Sequence, residues 1–105
     1  MLDFSKISGF QWDKGNRDKI WKKHRVSVGE AEQVFFNEPF LIGLDEKHST
    51  DKEIRYLSFG VTNLNRELTI VFTIRKDLIR VISARDMSKK DRREYEKRAK
   101  QNPSF

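Results

Sequence analysis

The chain has 105 residues, 22 Lys and Arg against 16 Asp and Glu, a net charge of +6, and a hydrophobic fraction of 36% equalled by its charged fraction. That length suits one domain spanning 1–105, with an ordered core over 9–100 and a short tail, able to bury roughly two-thirds of its unfolded surface without staples. The absence of cysteine excludes a disulfide framework, a thiolate nucleophile and a Cys-ligated zinc site. With no basic leader and no apolar run near the ~20 residues of a membrane span, the chain is expected to be soluble and cytoplasmic.

Gly9 to Trp12 is a short apolar piece that reads as a first strand or an extended entry, and Asp13 is placed to cap the helix that follows. On that helix Ile20, Trp21 and His24 share a face. Ser27-Val28-Gly29-Glu30 spells a capping box, flanked by Val26 and Ala31 as a hydrophobic staple. The second helix turns Val28, Ala31, Val34 and Phe35 inward. Pro39 is expected to end it, because proline has no amide hydrogen and disfavours helix in the residue before it.

After Pro39 the apolar period changes to two. Phe40, Ile42 and Leu44 alternate with Leu41 and Gly43, and the polar run Asp45 to Glu53 is a loop. Ile54 to Val61 forms a strand with Leu57, Phe59 and Val61 on one face and Tyr56 and Ser58 on the other. Asn63-Leu64-Asn65 is a turn. Leu68, Ile70, Phe72 and Ile74 then alternate with Thr69, Val71, Thr73 and Arg75, and a tight Lys76-Asp77 turn leads into Leu78 to Arg85. A loop of even length sets Ile74 opposite Ile79, Phe72 opposite Val81 and Thr73 opposite Arg80. The fold class predicted is α+β: two N-terminal helices packed on an antiparallel meander, then a basic C-terminal helix. The sheet face away from the first two helices is expected to be polar, cationic and partly aromatic, with Arg75, Arg80, Tyr56, Ser58 and Thr69.

The charge is local. From Arg75 to Lys100 there are eleven Lys and Arg against five Asp and Glu, which accounts for the whole excess of the chain. Neighbouring potentials add within a Debye length of about 8 to 10 Å, so such a concentration points to a polyanionic partner. Ser88 caps the last helix, on which Tyr95 and Ala99 are the only apolar neighbours at i, i+4. Glu94 with Arg98 and Glu96 with Lys100 support it locally; Lys89, Lys90, Arg92 and Arg93 are left over. These residues alone leave open whether they form a solvated helix edge or a ridge that meets RNA or a protein partner.

No Walker loop, dinucleotide fingerprint, G-x-S-x-G elbow or paired-histidine metal motif is present. The remaining set of Arg, Lys, His, Tyr and Ser suffices for cleavage of RNA without a metal or cofactor, in which the 2′-hydroxyl attacks the adjacent phosphate. That reaction needs a base, an acid and fixed cations for the phosphorane's charge, and a guanidinium fork suits the last role. Arg75, Arg80 and Arg85, all from one hairpin, are read as phosphate-binding and catalytic. His48, in a polar loop, is read as the acid or base. Arg75, Tyr56, Lys89, Lys90, Arg92 and Arg93 are read as RNA contacts. His24, Ser83 and Tyr95 are possible supports, each with an ordinary structural alternative: a helix-face histidine, a strand serine, and an anchor for the last helix.

These residues resemble a known family from Phe10 to about Lys97. The marks are Phe10-Gln11-Trp12-Asp13, Lys23-His24 followed by Val26-Ser27, Glu30-Ala31 leading to Val34-Phe35, Glu46-Lys47-His48-Ser49, Arg80-Val81-Ile82-Ser83-Ala84-Arg85, and Arg92-Arg93-Glu94-Tyr95-Glu96. In order and spacing they resemble the BrnT toxins of bacterial type II toxin-antitoxin modules. The resemblance implies a RelE-like ribonuclease fold, translation arrest by RNA cleavage, and neutralisation by a BrnA-like antitoxin in a heteromeric complex that binds operator DNA through the antitoxin. Carried onto matching positions, it favours Arg80 and Arg85, with Ser83 between them, as the phosphate-binding core. Arg25 departs from the pattern, since the family usually carries Gly after Lys-His and only glycine adopts positive φ freely.

Two further readings stand beside the enzyme. One is a non-catalytic basic module that blocks a nucleic-acid machine or an acidic partner by occupancy. The other is an inactive relative that keeps only antitoxin binding. In a toxin, the antitoxin is expected to cover the Arg75 to Arg85 hairpin and the last helix.

Overall fold

The alternation of Leu68, Ile70, Phe72 and Ile74 forms one face of the central strand of a five-stranded sheet in the computed structural model, which describes residues 3–101. The expected tail falls mostly on residues 102–105, outside the described ones. The strands are β1 (Gly9–Phe10), β2 (Leu41–Leu44), β3 (Arg55–Val61), β4 (Glu67–Arg75) and β5 (Leu78–Asp86). They lie in the order β1-β5-β4-β3-β2. The meander β2 to β5 is antiparallel throughout, and β1 extends it as a short parallel edge beside Leu78 and Ile79. The helices are α1 (Lys14–His24), α2 (Val28–Val34) and α3 (Lys89–Gln101), so the fold is α+β as predicted.

Local signals explain the helices. The Asp13 carboxylate accepts the Asn16 amide at 2.7 Å to start α1, and both bonds of the Ser27–Glu30 capping box start α2. The α2 helix closes at Val34, well before Pro39, because the amides of Phe35 and Phe36 bond back three residues, to Glu32 and Gln33, and tighten the last turn. Trp21 does not share the buried face of Ile20: at 46% exposure it lies outward, with the Arg25 guanidinium 5.3 Å from its ring centre. Arg66, in the turn before β4, ties these parts together. It makes a two-pronged pair with Asp86, at 2.7 and 3.1 Å, and also bonds Glu30 and the carbonyls of His24 and Arg25.

The core lies between the sheet and α1 and α2. Ile20, Val26, Ala31 and Val34 pack against Leu68, Ile70, Phe72, Ile79, Val81 and Ala84, each such burial stabilising by roughly 1.5–3 kcal/mol for the larger side chains. The Phe35 ring meets Phe72 edge-on at 5.0 Å. Here β3 overturns the expected facing. Tyr56, Ser58 and Gly60 pair with Phe72, Ile70 and Leu68 and so share the covered face. Tyr56 stacks on Phe72 at 5.3 Å, and the buried Ser58 hydroxyl donates to the Ile70 carbonyl at 3.0 Å. The reason is space at one position. A Cβ on Gly60 would sit 2.5 Å from Val34 Cγ1, so α2 admits only glycine there, and with Gly60 inward the alternation sends Leu57, Phe59 and Val61 to the opposite face.

A bulge then decides where the arginines point. Phe72 faces Val81 but Val71 faces Ser83, which leaves Ile82 without a partner. Residues 80 and 85 differ in parity, so in an unbroken strand they would leave opposite faces. The extra residue reverses the alternation, taking Ala84 into the core and placing Ser83 and Arg85 on the face of Thr73 and Arg80. Across one end of that second face lies α3. Its Asp91 accepts from the Thr69 hydroxyl at 2.9 Å and from Arg85 at 3.0 Å, and Arg92 pairs with Glu67 at 2.7 Å. Tyr95 is buried, its hydroxyl donating to the Pro39 carbonyl at 2.7 Å.

Candidate functional site

On the face away from α1 and α2, the register sets three cross-strand rows: Arg55–Thr73–Arg80, Leu57–Val71–Ser83 and Phe59–Thr69–Arg85. A cleft of about 360 Å³ opens over the middle row, lined by Asp45, His48, Arg55, Leu57, Val71, Ile82, Ser83 and Arg85. Its floor is aliphatic. Its rim carries two guanidinium groups and an imidazole.

The loop that delivers His48 is a 3₁₀ turn, Glu46–His48, stitched down by Ser49, whose hydroxyl donates to the Asp45 carbonyl at 2.7 Å and accepts the Arg55 amide at 2.9 Å. The imidazole Nδ1 lies 2.9 and 3.1 Å from the two Asp45 carboxylate oxygens, while the ring is 58% exposed. A carboxylate there favours the Nδ1–H tautomer and leaves Nε2 free to exchange a proton. Arg55 is steadied by Glu53 at 3.2 Å, and Arg85 by Asp91. Burial pushes the Asp91 carboxyl up, but hydrogen bonds from Thr69 and Arg85, with the charge of Arg85, outweigh it and hold the group below the usual carboxylate range. Asp91 therefore stays a carboxylate at neutral pH and keeps its hold on Arg85.

The three hairpin arginines do not converge on one spot. Only Arg85, with Ser83, lines the cleft. Arg80 shares the face but reaches to the sheet edge, where its Nη2 lies 2.6 Å from Asp13. The Asn16 amide bond to Asp13, followed by the Arg80 bond, holds that carboxyl below its ordinary range. Arg75 pairs with Glu53 at 3.3 Å and, with Tyr56, borders a separate cleft beside Asp51 to Ile54. Tyr56 thus belongs to the covered side of the sheet, a correction to the expected aromatic patch. His24 ends α1 and lies outside the cleft lining, and the Tyr95 hydroxyl is committed to Pro39 rather than to the site. Among the described residues Lys89, Lys90 and Arg93 make no ion pair, whereas Arg92 is engaged by Glu67. Sequence reasoning missed Arg55 and Asp45. Arg55 has the parity of Leu57 and Thr73's partner position, a signal that only the true facing of β3 makes readable.

A meander sheet backed by two helices, with arginines on its other face and a carboxylate-held histidine at the cleft there, defines a small RelE-like α+β protein. Over residues 12–91 the chain matches the family described as the ribonuclease toxin, BrnT, of type II toxin-antitoxin systems, and it belongs to that family. No curated protein matches it. Family membership implies an antitoxin partner and an RNA substrate. No helix among the described residues is long and apolar enough to cross a membrane.

Proposed function

We propose that this toxin is an endoribonuclease that arrests translation by cutting RNA through attack of a 2′-hydroxyl on the adjacent phosphate, and that a BrnA-like antitoxin neutralises it. The observation that carries the reading is the cleft joining His48, backed by Asp45, to Arg55, Ser83 and Arg85. His48 Nε2 takes the 2′ proton. Arg55 and Arg85 bind the phosphate and hold the phosphorane's added charge, Ser83 offers a hydrogen bond between them, and the 5′-oxygen leaves as the P–O5′ bond breaks, protonated from solvent that the open cleft admits. Arg80 stands one row away on the same face, ready to exchange Asp13 for a phosphate. Lys89, Lys90 and Arg93 give the flanking RNA a sequence-independent hold. This chemistry calls on protein groups and solvent alone.

Purified protein incubated with RNA in EDTA tests this directly. Cleavage leaving 2′,3′-cyclic phosphate ends is expected, with His48→Ala slower by about 10²–10⁴-fold and Arg85→Ala impaired on the same scale while both variants stay folded. Lys89, Lys90 and Arg93, which make no ion pair among the described residues and lie outside the cleft lining, favour the second reading, binding by occupancy alone. Intact RNA bound with a steep salt slope would decide for it.

A further inference from the structure

Strand β2 is the outer edge of the sheet, and among the described residues nothing pairs with its free side. Edge strands ordinarily carry a protective Lys, Pro or bulge; Leu41-Ile42-Gly43-Leu44 has neither charge nor proline, and no bulge interrupts its pairing with β3. Ile42 is 40% exposed and Leu44 59%, and a Cβ at Gly43 would meet nothing within 4 Å. Between this edge and α3 runs a groove of about 390 Å³, walled on one side by Leu41, Leu57 and Phe59 and on the other by Lys90, Glu94 and Arg98.

We propose that this edge and groove seat an extended acidic-apolar segment of the antitoxin, which adds a sixth strand to the sheet beside β2. The inference rests on the reading of the protein as a toxin with a neutralising partner and gives that partner its docking mode. Main-chain hydrogen bonds along β2 supply affinity, and alternate apolar side chains enter the groove. Charge selects the occupant. Seven Lys and Arg against three Asp and Glu on α3 would set two like-charged helices together if a second copy paired here, whereas an acidic segment is complementary. Nucleic acid lacks the amide and carbonyl ladder that a strand edge requires. The position also explains inhibition: Leu57 borders both groove and catalytic cleft, and Asp91, in the groove wall, holds Arg85. A strand seated there stands in the way of RNA.

The test uses the toxin copurified with the protein encoded in the adjacent reading frame. The outward amides of Ile42 and Leu44 are expected to gain at least tenfold hydrogen-exchange protection in the complex; those of Leu41 and Gly43 share the parity of Asp45, whose amide already bonds the Arg55 carbonyl. Leu44→Glu, at an exposed site, is expected to weaken the complex at least tenfold while free toxin cuts RNA as before. Unprotected β2 amides with undiminished affinity would overturn the proposal. So would a wild-type dimer that Leu44→Glu dissociates, or RNA binding lost with Leu44→Glu. Absence of RNA cleavage under every condition would remove the nuclease reading alone, since β2 protection is read without it.

Discussion

The sheet face beneath α1 and α2 is filled by Leu68, Ile70, Phe72, Val81 and Ala84, all fully buried. The opposite face carries Arg55, Thr73, Arg80, Ser83 and Arg85, and is held by ion pairs and hydrogen bonds to Glu53, Asp13 and Asp91. The first face supplies stability through apolar area, which has no directional demand. The second stores charge in pairs that bind little when exposed, about 0–1 kcal/mol each. Such pairs are exchangeable, so a phosphate that displaces a carboxylate from a guanidinium finds a side chain already oriented for it. The price is that the second face depends on register alone for its composition, and register depends on one unpaired residue.

Ala84→Arg breaks the contrast most completely. Ala84 is fully buried beneath α1 and α2, so the new side chain brings a guanidinium among the apolar residues of the covered face. An unpaired buried guanidinium costs several kcal/mol, comparable with a domain's total stability of about 5–15 kcal/mol. Loss of a cooperative thermal transition and of near-ultraviolet circular dichroism is expected, whereas deleting Ile82, which the pairing already leaves out, keeps Val81 and Ala84 inward and Ser83 and Arg85 outward and should still unfold cooperatively. An Ala84→Arg variant that melts like wild type and cuts RNA would show that this face is not sealed beneath the helices.

A smaller effect separates the closed end of the second face from its open end. Burial, aided by the charge of Glu67, pushes the Tyr95 hydroxyl up to about 12. Because the fold prefers the protonated phenol, its stabilisation is fully present below the unfolded value near 10 and is lost as pH rises through about 12. Tyr95→Phe removes the bond to Pro39, so at pH 8 it should be less stable by roughly 1 kcal/mol. That gap should close, then reverse, between pH 10 and 12. Parallel loss of stability by the two proteins across this range would mean that Tyr95 does not anchor α3.

The same contrast marks what could be read from the chain. Leu68 to Ile74 and the Thr73–Arg80 pairing were legible because a two-residue period and an even turn leave one solution, and the capping box at Ser27 names its own geometry. The facing of Tyr56 was not. Apolar Leu57, Phe59 and Val61 claim the core by hydropathy, but the close approach of α2 at Gly60 gives it to the small Ser58 and Gly60 instead. Nor does Val81-Ile82-Ser83 signal a bulge, since no glycine or proline interrupts it. The cleft depends on both hidden features, so His48, Ser83 and Arg85 were nameable singly, while their meeting with Arg55 and Asp45 was not.

Arg25 offers the mildest test, at the junction that closes the covered face. It ends α1 with φ 54° and ψ 38°, a left-handed conformation that glycine adopts without strain. The structure keeps arginine there by two means: the guanidinium lies over Trp21, and Arg66 binds the Arg25 carbonyl at 2.8 Å. Only the first is lost in Arg25→Gly, because the second involves the backbone. Relief of left-handed strain, about 1–2 kcal/mol, is offset by the flexibility glycine adds to the unfolded chain and by a cation–π contact worth about 0.5–1 kcal/mol at an exposed ring. A net gain of a few tenths of a kcal/mol is expected in urea unfolding with the slope unchanged, and RNA cleavage should not move. A loss above about 1 kcal/mol would mean that the Arg25–Trp21 contact, rather than the Arg66 hub, holds the two helices at their angle.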